Sequence, residues 1–203
     1  MLHQLIAIIL LLGSYDPQTR SHLEHVKEEI VKAFSGENVY AFLLDNVEIY
    51  FSDIVEVLAE LLNGHKATLF IFQQNRLIDV YDVNLRNGLD QTVYDFLKEQ
   101  YKIKRINKQP IFEKFNILMR LAKAVFLIRH KEETRGGEYL ELIHALFRGH
   151  SEKVWFFKKN GLQLSTMLME YLDKFKVNMR TFTDEQNLTS EIVRILKYEF
   201  PSQ

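Results

Sequence analysis

Chemistry-bearing side chains gather in two short stretches of this chain. One is GSYDP, Gly13 to Pro17, which sets the hydroxyls of Ser14 and Tyr15 beside the carboxylate of Asp16. The other is TRGGEYLELIHAL, Thr134 to Leu146, where Arg135 and the paired Gly136-Gly137 precede Glu138 and Glu141. A glycine in such a turn lets a ligand approach the backbone, and the free N–H groups of a following helix favour an anion such as phosphate. Counted from Gly137, the residues Glu138, Glu141, Ala145 and Gly149 fall close to one face of a 3.6-residue period, with Glu141 one turn inside the helix. A carboxylate near the positive end of a helix stays ionised. It then suits a nucleophile or a stabiliser of an oxocarbenium-like centre. A plainer role fits the same residues: first-turn acids of any helix, and glycines that serve close packing.

Both stretches follow apolar runs, and those runs set where they lie. Leu5 to Leu12 reads as a strand buried on both faces, and Ala124 to Ile128 as another. Between and after them strands and helices alternate. Pro17–Phe34 is expected as a helix, Asn38–Leu44 as a strand, Asp53–Leu62 as a helix opened by Ser52 or Asp53, and Ala67–Phe72 as a strand. The run RLIDVYDV pairs with that last strand as a hairpin at one edge of the sheet. Leu89–Tyr101 and Pro110–Ala122 are helical, joined by the basic run KIKRINK, read as a solvated connection. The order then closes with helix Gly137–Phe147, strand Lys153–Phe157, helix Leu164–Phe175, strand Val177–Phe182 and helix Glu185–Phe200. Such alternation implies a mostly parallel sheet in a three-layer α/β/α sandwich of flavodoxin-like or Rossmann-like type, with ligands at the carboxyl ends of the strands. A length of 203 residues suits one such domain, 1–203.

The nine residues GEYLELIHA, Gly137 to Ala145, resemble the glycine-x-x-x-glutamate-x-x-x-alanine turn of the nucleoside 2-deoxyribosyltransferase-like superfamily, with a more distant likeness to TIR-type NAD-cleaving folds. The resemblance implies a glutamate nucleophile at the anomeric carbon of a nucleoside, a role that falls on Glu141. It also implies that GSYDP helps to hold the nucleoside, and that subunits of a homo-oligomer complete each other's sites. Where those transferases often carry an aspartate before the motif's strand, this chain has Lys123, and its turn Thr134-Arg135-Gly136-Gly137 is more basic. That favours a phosphate-bearing ligand, for which Arg135 or Arg129 can supply a bidentate contact. The expected ligand-binding residues are thus Gly13, Ser14, Tyr15, Asp16, Arg135, Gly136, Gly137 and Glu138, with Glu141 catalytic.

Composition narrows the function classes. With 26 basic and 27 acidic residues and a net charge of -1, the chain lacks the broad positive footprint of a duplex-binding protein. Cysteine is absent, which removes disulfides, thiol nucleophiles and thiolate metal sites and fits a cytoplasmic protein. The apolar opening is too short to span a bilayer, so no membrane partner is expected. His22 and His25 have helical spacing that suits a metal, but no third ligand is evident, and solvated histidines are the reading adopted. No P-loop, HExxH, nucleophile elbow or GxGxxG occurs. The expectation is a nucleoside or nucleotide N-glycosidase or deoxyribosyltransferase without a cofactor. The alternative is a non-catalytic nucleotide sensor of the broad kind found in CRISPR-associated proteins, working through partner contacts.

Overall fold

The computed structural model describes residues 7–14, 16–131 and 137–199. They form two compact units: residues 1–43 with 122–203, and residues 44–121.

The first unit is built on a parallel sheet of five strands in the order β10-β9-β8-β1-β2. Its strands are β1 (Ala7–Gly13), β2 (Val39–Leu43), β8 (Ala124–Arg129), β9 (Val154–Lys159) and β10 (Asn178–Phe182). Every neighbouring pair is parallel, with Leu11 of β1 registered against Leu43 on one side and Phe126 on the other. Four helices flank these strands in sequence: α1 (Pro17–Ala33), α4 (Gly137–Phe147), α5 (Thr166–Lys174) and α6 (Glu185–Glu199).

Packing explains why β1 and residues 124–128 of β8 are unbroken apolar runs. Ile9, Leu11, Phe126, Ile128, Phe157 and Phe182 share a core with Leu23, Val26 and Ile30 of α1 and Leu188, Ile192 and Leu196 of α6. The residues of opposite parity, Ile8, Leu10, Leu12, Val125, Leu127 and Phe156, are equally buried, so these central strands are covered on both faces.

The second unit holds an antiparallel sheet in the order β6-β5-β4-β3-β7. It comprises β3 (Val47–Phe51), β4 (Glu56–Asn63), β5 (Lys66–Gln73), β6 (Arg76–Asn84) and β7 (Asn107–Lys108), with helices α2 (Leu89–Tyr101) and α3 (Ile111–Leu121). Its core joins Tyr50, Val57, Ala59, Leu69 and Ile71 of the sheet to Val93 and Leu97 of α2.

Two sequence expectations are corrected in this unit. Asp53–Leu62 is not a helix but the turn into β4 and most of that strand. Its helix-favouring Ala-Glu-Leu-Leu is overridden because β4 pairs with β3 on one side and β5 on the other. Ser52, expected as a helix cap, closes the turn instead, its Oγ accepting from the N–H groups of Ile54 at 3.2 Å and Val55 at 3.0 Å. The β5–β6 hairpin does form, with Gln73 opposite Arg76 and both turn residues, Gln74 and Asn75, at positive φ. It belongs to this antiparallel sheet, however, and not to an edge of the parallel one.

Candidate functional site

The parallel sheet reverses its strand order between β1 and β8, because the chain goes from β1 to β2 on one side and returns to β8 on the other. Ligands of open α/β sheets bind outside the carboxyl ends of the strands at that reversal. The described residues leaving β1 and β8 there are Gly13, Ser14 and Asp16, and Arg129 to Lys131.

Asp16 ties the two ends together. It is the N-cap of α1, where its Oδ1 accepts from the Thr19 N–H at 3.3 Å, and Pro17 follows at the first helical position. Its Oδ2 accepts from Ser14 Oγ at 2.9 Å and pairs with Lys131 Nζ at 3.0 Å. Desolvation would raise its pKa, but the hydrogen bonds of Thr19, Lys131 and Ser14 outweigh that and hold the carboxyl well below its ordinary range. Asp16 is therefore a fixed, ionised acceptor at the sheet edge.

Gly13 has a packing reason to be glycine. A Cβ there would lie 2.8 Å from the Ile128 backbone oxygen and 3.3 Å from Leu23 Cδ1, so only glycine lets β1 end this close to β8 and α1.

On β8, the buried Arg129 donates from Nε to the Lys131 carbonyl oxygen at 3.1 Å, and its guanidinium stacks 4.7 Å from the ring centre of Tyr139 on α4. A run of contacts thus leads from Asp16 through Lys131 and Arg129 to the helix that carries Glu141. Glu141 is half-buried, with Oε2 closed off from solvent. That helix ends at Phe147, so Gly149 does not continue the face counted from the sequence. It sits past the end at φ 79°, where the Gly149 and His150 N–H groups donate to the Leu146 and Ala145 carbonyls, each at 3.1 Å, and stop the helix.

Of the expected site residues, the structure brings Ser14 and Asp16 together with Lys131, and sets Gly13 at the β1–β8 seam. Glu141 stands on α4 as expected, and Gly137 and Glu138 open that helix. Tyr15, Arg135 and Gly136 lie outside the described residues, as does the side chain of Glu138. Lys131 lies in the turn His130 to Glu138, which the sequence marks as a carboxyl-edge turn, but sequence reasoning gave it no role of its own.

His130, between Arg129 and Lys131, opens the same turn and likewise had no assigned role. Its ring packs 4.8 Å from that of His22 on α1 and 5.2 Å from that of Phe182 on β10. Burial, reinforced by the nearby charges of His22 and Lys159, lowers its pKa to about 4, so it is neutral near pH 7. His22 is half-buried, not solvated, and its Nε2 lies 2.6 Å from Glu185 Oε1 on α6. His25 is exposed.

Four basic residues, Arg129, Lys131, Lys158 and Lys159, lie at the ends of β8 and β9. Among the described residues, no group of three or more metal-ligating side chains occurs, and no helix is long and apolar enough to cross a membrane. The sequence matches no protein-family model and no curated protein.

Proposed function

We propose that the chain binds a nucleotide at the carboxyl edge of its parallel sheet and cleaves or transfers at the N-glycosidic bond, with Glu141 as the nucleophile. The sheet and its helices would then form a three-layer, flavodoxin-like domain of a cytoplasmic protein, able to assemble into a homo-oligomer. The observation that carries the reading is the Asp16–Lys131 pair, which joins the turns after β1 and β8 where the strand order reverses. An ionised carboxylate accepts hydrogen bonds only, so Asp16 suits sugar hydroxyls, while the basic side chains beside it suit phosphate. Glu141, on the helix that follows the same edge, would attack the anomeric carbon as the C–N bond breaks and the base leaves with a proton from solvent, and water or a second base would then displace the carboxylate from the glycosyl ester.

Incubating the protein with nucleosides, nucleotides and NAD, followed by chromatography for released base, tests the activity. Glu141→Ala is expected to lower turnover at least about a thousandfold while binding persists. Unchanged turnover in that variant would remove Glu141 from the mechanism.

The second unit supports another reading. Residues 44–121 interrupt the parallel sheet with a separately cored module, an arrangement suited to a sensor that reports nucleotide binding to a partner. Thermal stabilisation by a nucleotide that is recovered intact favours the sensor.

A further inference from the structure

The carboxyl edge holds a second cluster that the nucleotide reading does not use. Its members come from four places in the fold: His22 from α1, His130 from the turn after β8, Phe182 from the end of β10 and Glu185 from the start of α6. The His130 ring lies 4.8 Å from that of His22 and meets the Phe182 ring edge-on at 5.2 Å. His22 Nε2 in turn lies 2.6 Å from Glu185 Oε1. One imidazole thus joins the β8 turn to α1 and β10, and the other joins α1 to α6.

This packing suits the neutral form of His130 and not the charged one. Its Nε2 is closed off from solvent and has no hydrogen-bond partner among the described residues. In a neutral ring that nitrogen can be a bare lone pair, but in the imidazolium it is a donor, and a buried donor without an acceptor is strongly disfavoured. The surrounding charges act in the same direction. His22 on α1 and Lys159 at the end of β9 oppose a positive ring, and Asp16 at the N-cap of α1 favours one. Arg129 and Lys131 flank it in the chain, and Glu185 on α6 is engaged by His22. Burial first, and then these charges, bring the pKa down from 6.5 to about 4.

We propose that the contact of His130 with His22 and Phe182 is an acid-released clasp: it holds the turn after β8 against α1 and β10, and opens when the His130 ring takes up a proton and turns toward water. Lys131 follows His130 directly, so opening also draws Lys131 away from Asp16 and unties the two turns of the carboxyl edge. A base held below its ordinary pKa stabilises the closed form fully above pH 6.5, and that stabilisation is lost as pH falls toward the folded value near 4. This window lies above 3.8, the ordinary value for Asp16, so the acid responses of the two groups are separable. The clasp stands independently of the nucleotide reading.

Amide exchange of the full chain, followed by NMR and corrected for the intrinsic effect of pH, tests the clasp. On going from about pH 7 to about pH 4.5, protection of the amides around His22 and His130 should fall at least about tenfold, while that of β4 and β5 in the second unit is kept. His130→Phe retains an aromatic ring that cannot take up a proton, so it should hold the same protection at both pH values. Titration of the histidine ring resonances in the unsubstituted protein decides the matter even if that variant fails to fold: His130 should titrate well below its ordinary value. A His130 that titrates at or above 6.5, a fall in protection shared equally by the second unit, or one that persists in His130→Phe overturns the clasp.

Discussion

Asp16 combines roles that one substitution can separate. Asparagine keeps the side-chain oxygen that caps α1, so Asp16→Asn removes the charge and leaves the cap. A carboxyl whose folded pKa lies below its ordinary value near 3.8 contributes stability that is complete above that value and is lost as pH falls through the lower, folded value. Asp16→Asn is therefore expected to lower stability by up to about 1 kcal/mol, since the pair with Lys131 is partly solvated. Urea titrations should show a gap from the unsubstituted protein that is constant from pH 5 to 8 and narrows below pH 4. A gap that grows on acidification would contradict the assigned direction. At this scale the sequence was informative where local spacing carries the signal: Asp16 before a proline-started helix, and Glu141 one turn into α4. It marked the turn His130 to Glu138 after AVFLI but gave Lys131 and His130 no role of their own, because their partners Asp16 and His22 are more than a hundred residues away and only the β1–β8 pairing brings them near.

Among the elements, the seam between β1 and β8 determines whether the site exists. Gly13→Ala places a methyl group 2.8 Å from a backbone oxygen, which cannot swing aside as a side chain would, so the strands must separate or β1 must shift. The expected cost is about 1–3 kcal/mol, seen as a lower urea midpoint, together with loss of nucleotide-induced thermal stabilisation. Retained stability would show that the seam relaxes easily and that glycine is there for ligand approach alone. The central strands β1 and β8 were legible because burial on both faces leaves an apolar run that ends at a turn, as in AIILLLG. Asp53–Leu62 failed for the opposite reason: VLAELL has the composition of a helix, and its strand state comes from two neighbouring strands that local reading does not see.

For the molecule as a whole, the alternation of strands and helices disguised an insertion. The chain leaves the parallel sheet after β2, builds a second sheet from residues 44–121, and resumes the first at β8. Read in one dimension, the inserted strands extend the β-α-β rhythm; only their antiparallel pairing sets them apart. Each unit has its own core, and the separation has a measurable consequence. Leu97 on α2 is fully buried in the second core, so Leu97→Ala should cost about 2–5 kcal/mol in that unit. Amide exchange followed by mass spectrometry should show faster exchange in β3, β4, β5 and α2, with β1 and β8 as protected as before. If β1 and β8 lost protection by the same amount, the units would unfold as one, and a change in the second would be felt at the carboxyl edge. That outcome would favour the sensor reading over the enzyme, because a binding event at Asp16 would then be coupled to the inserted unit through shared stability.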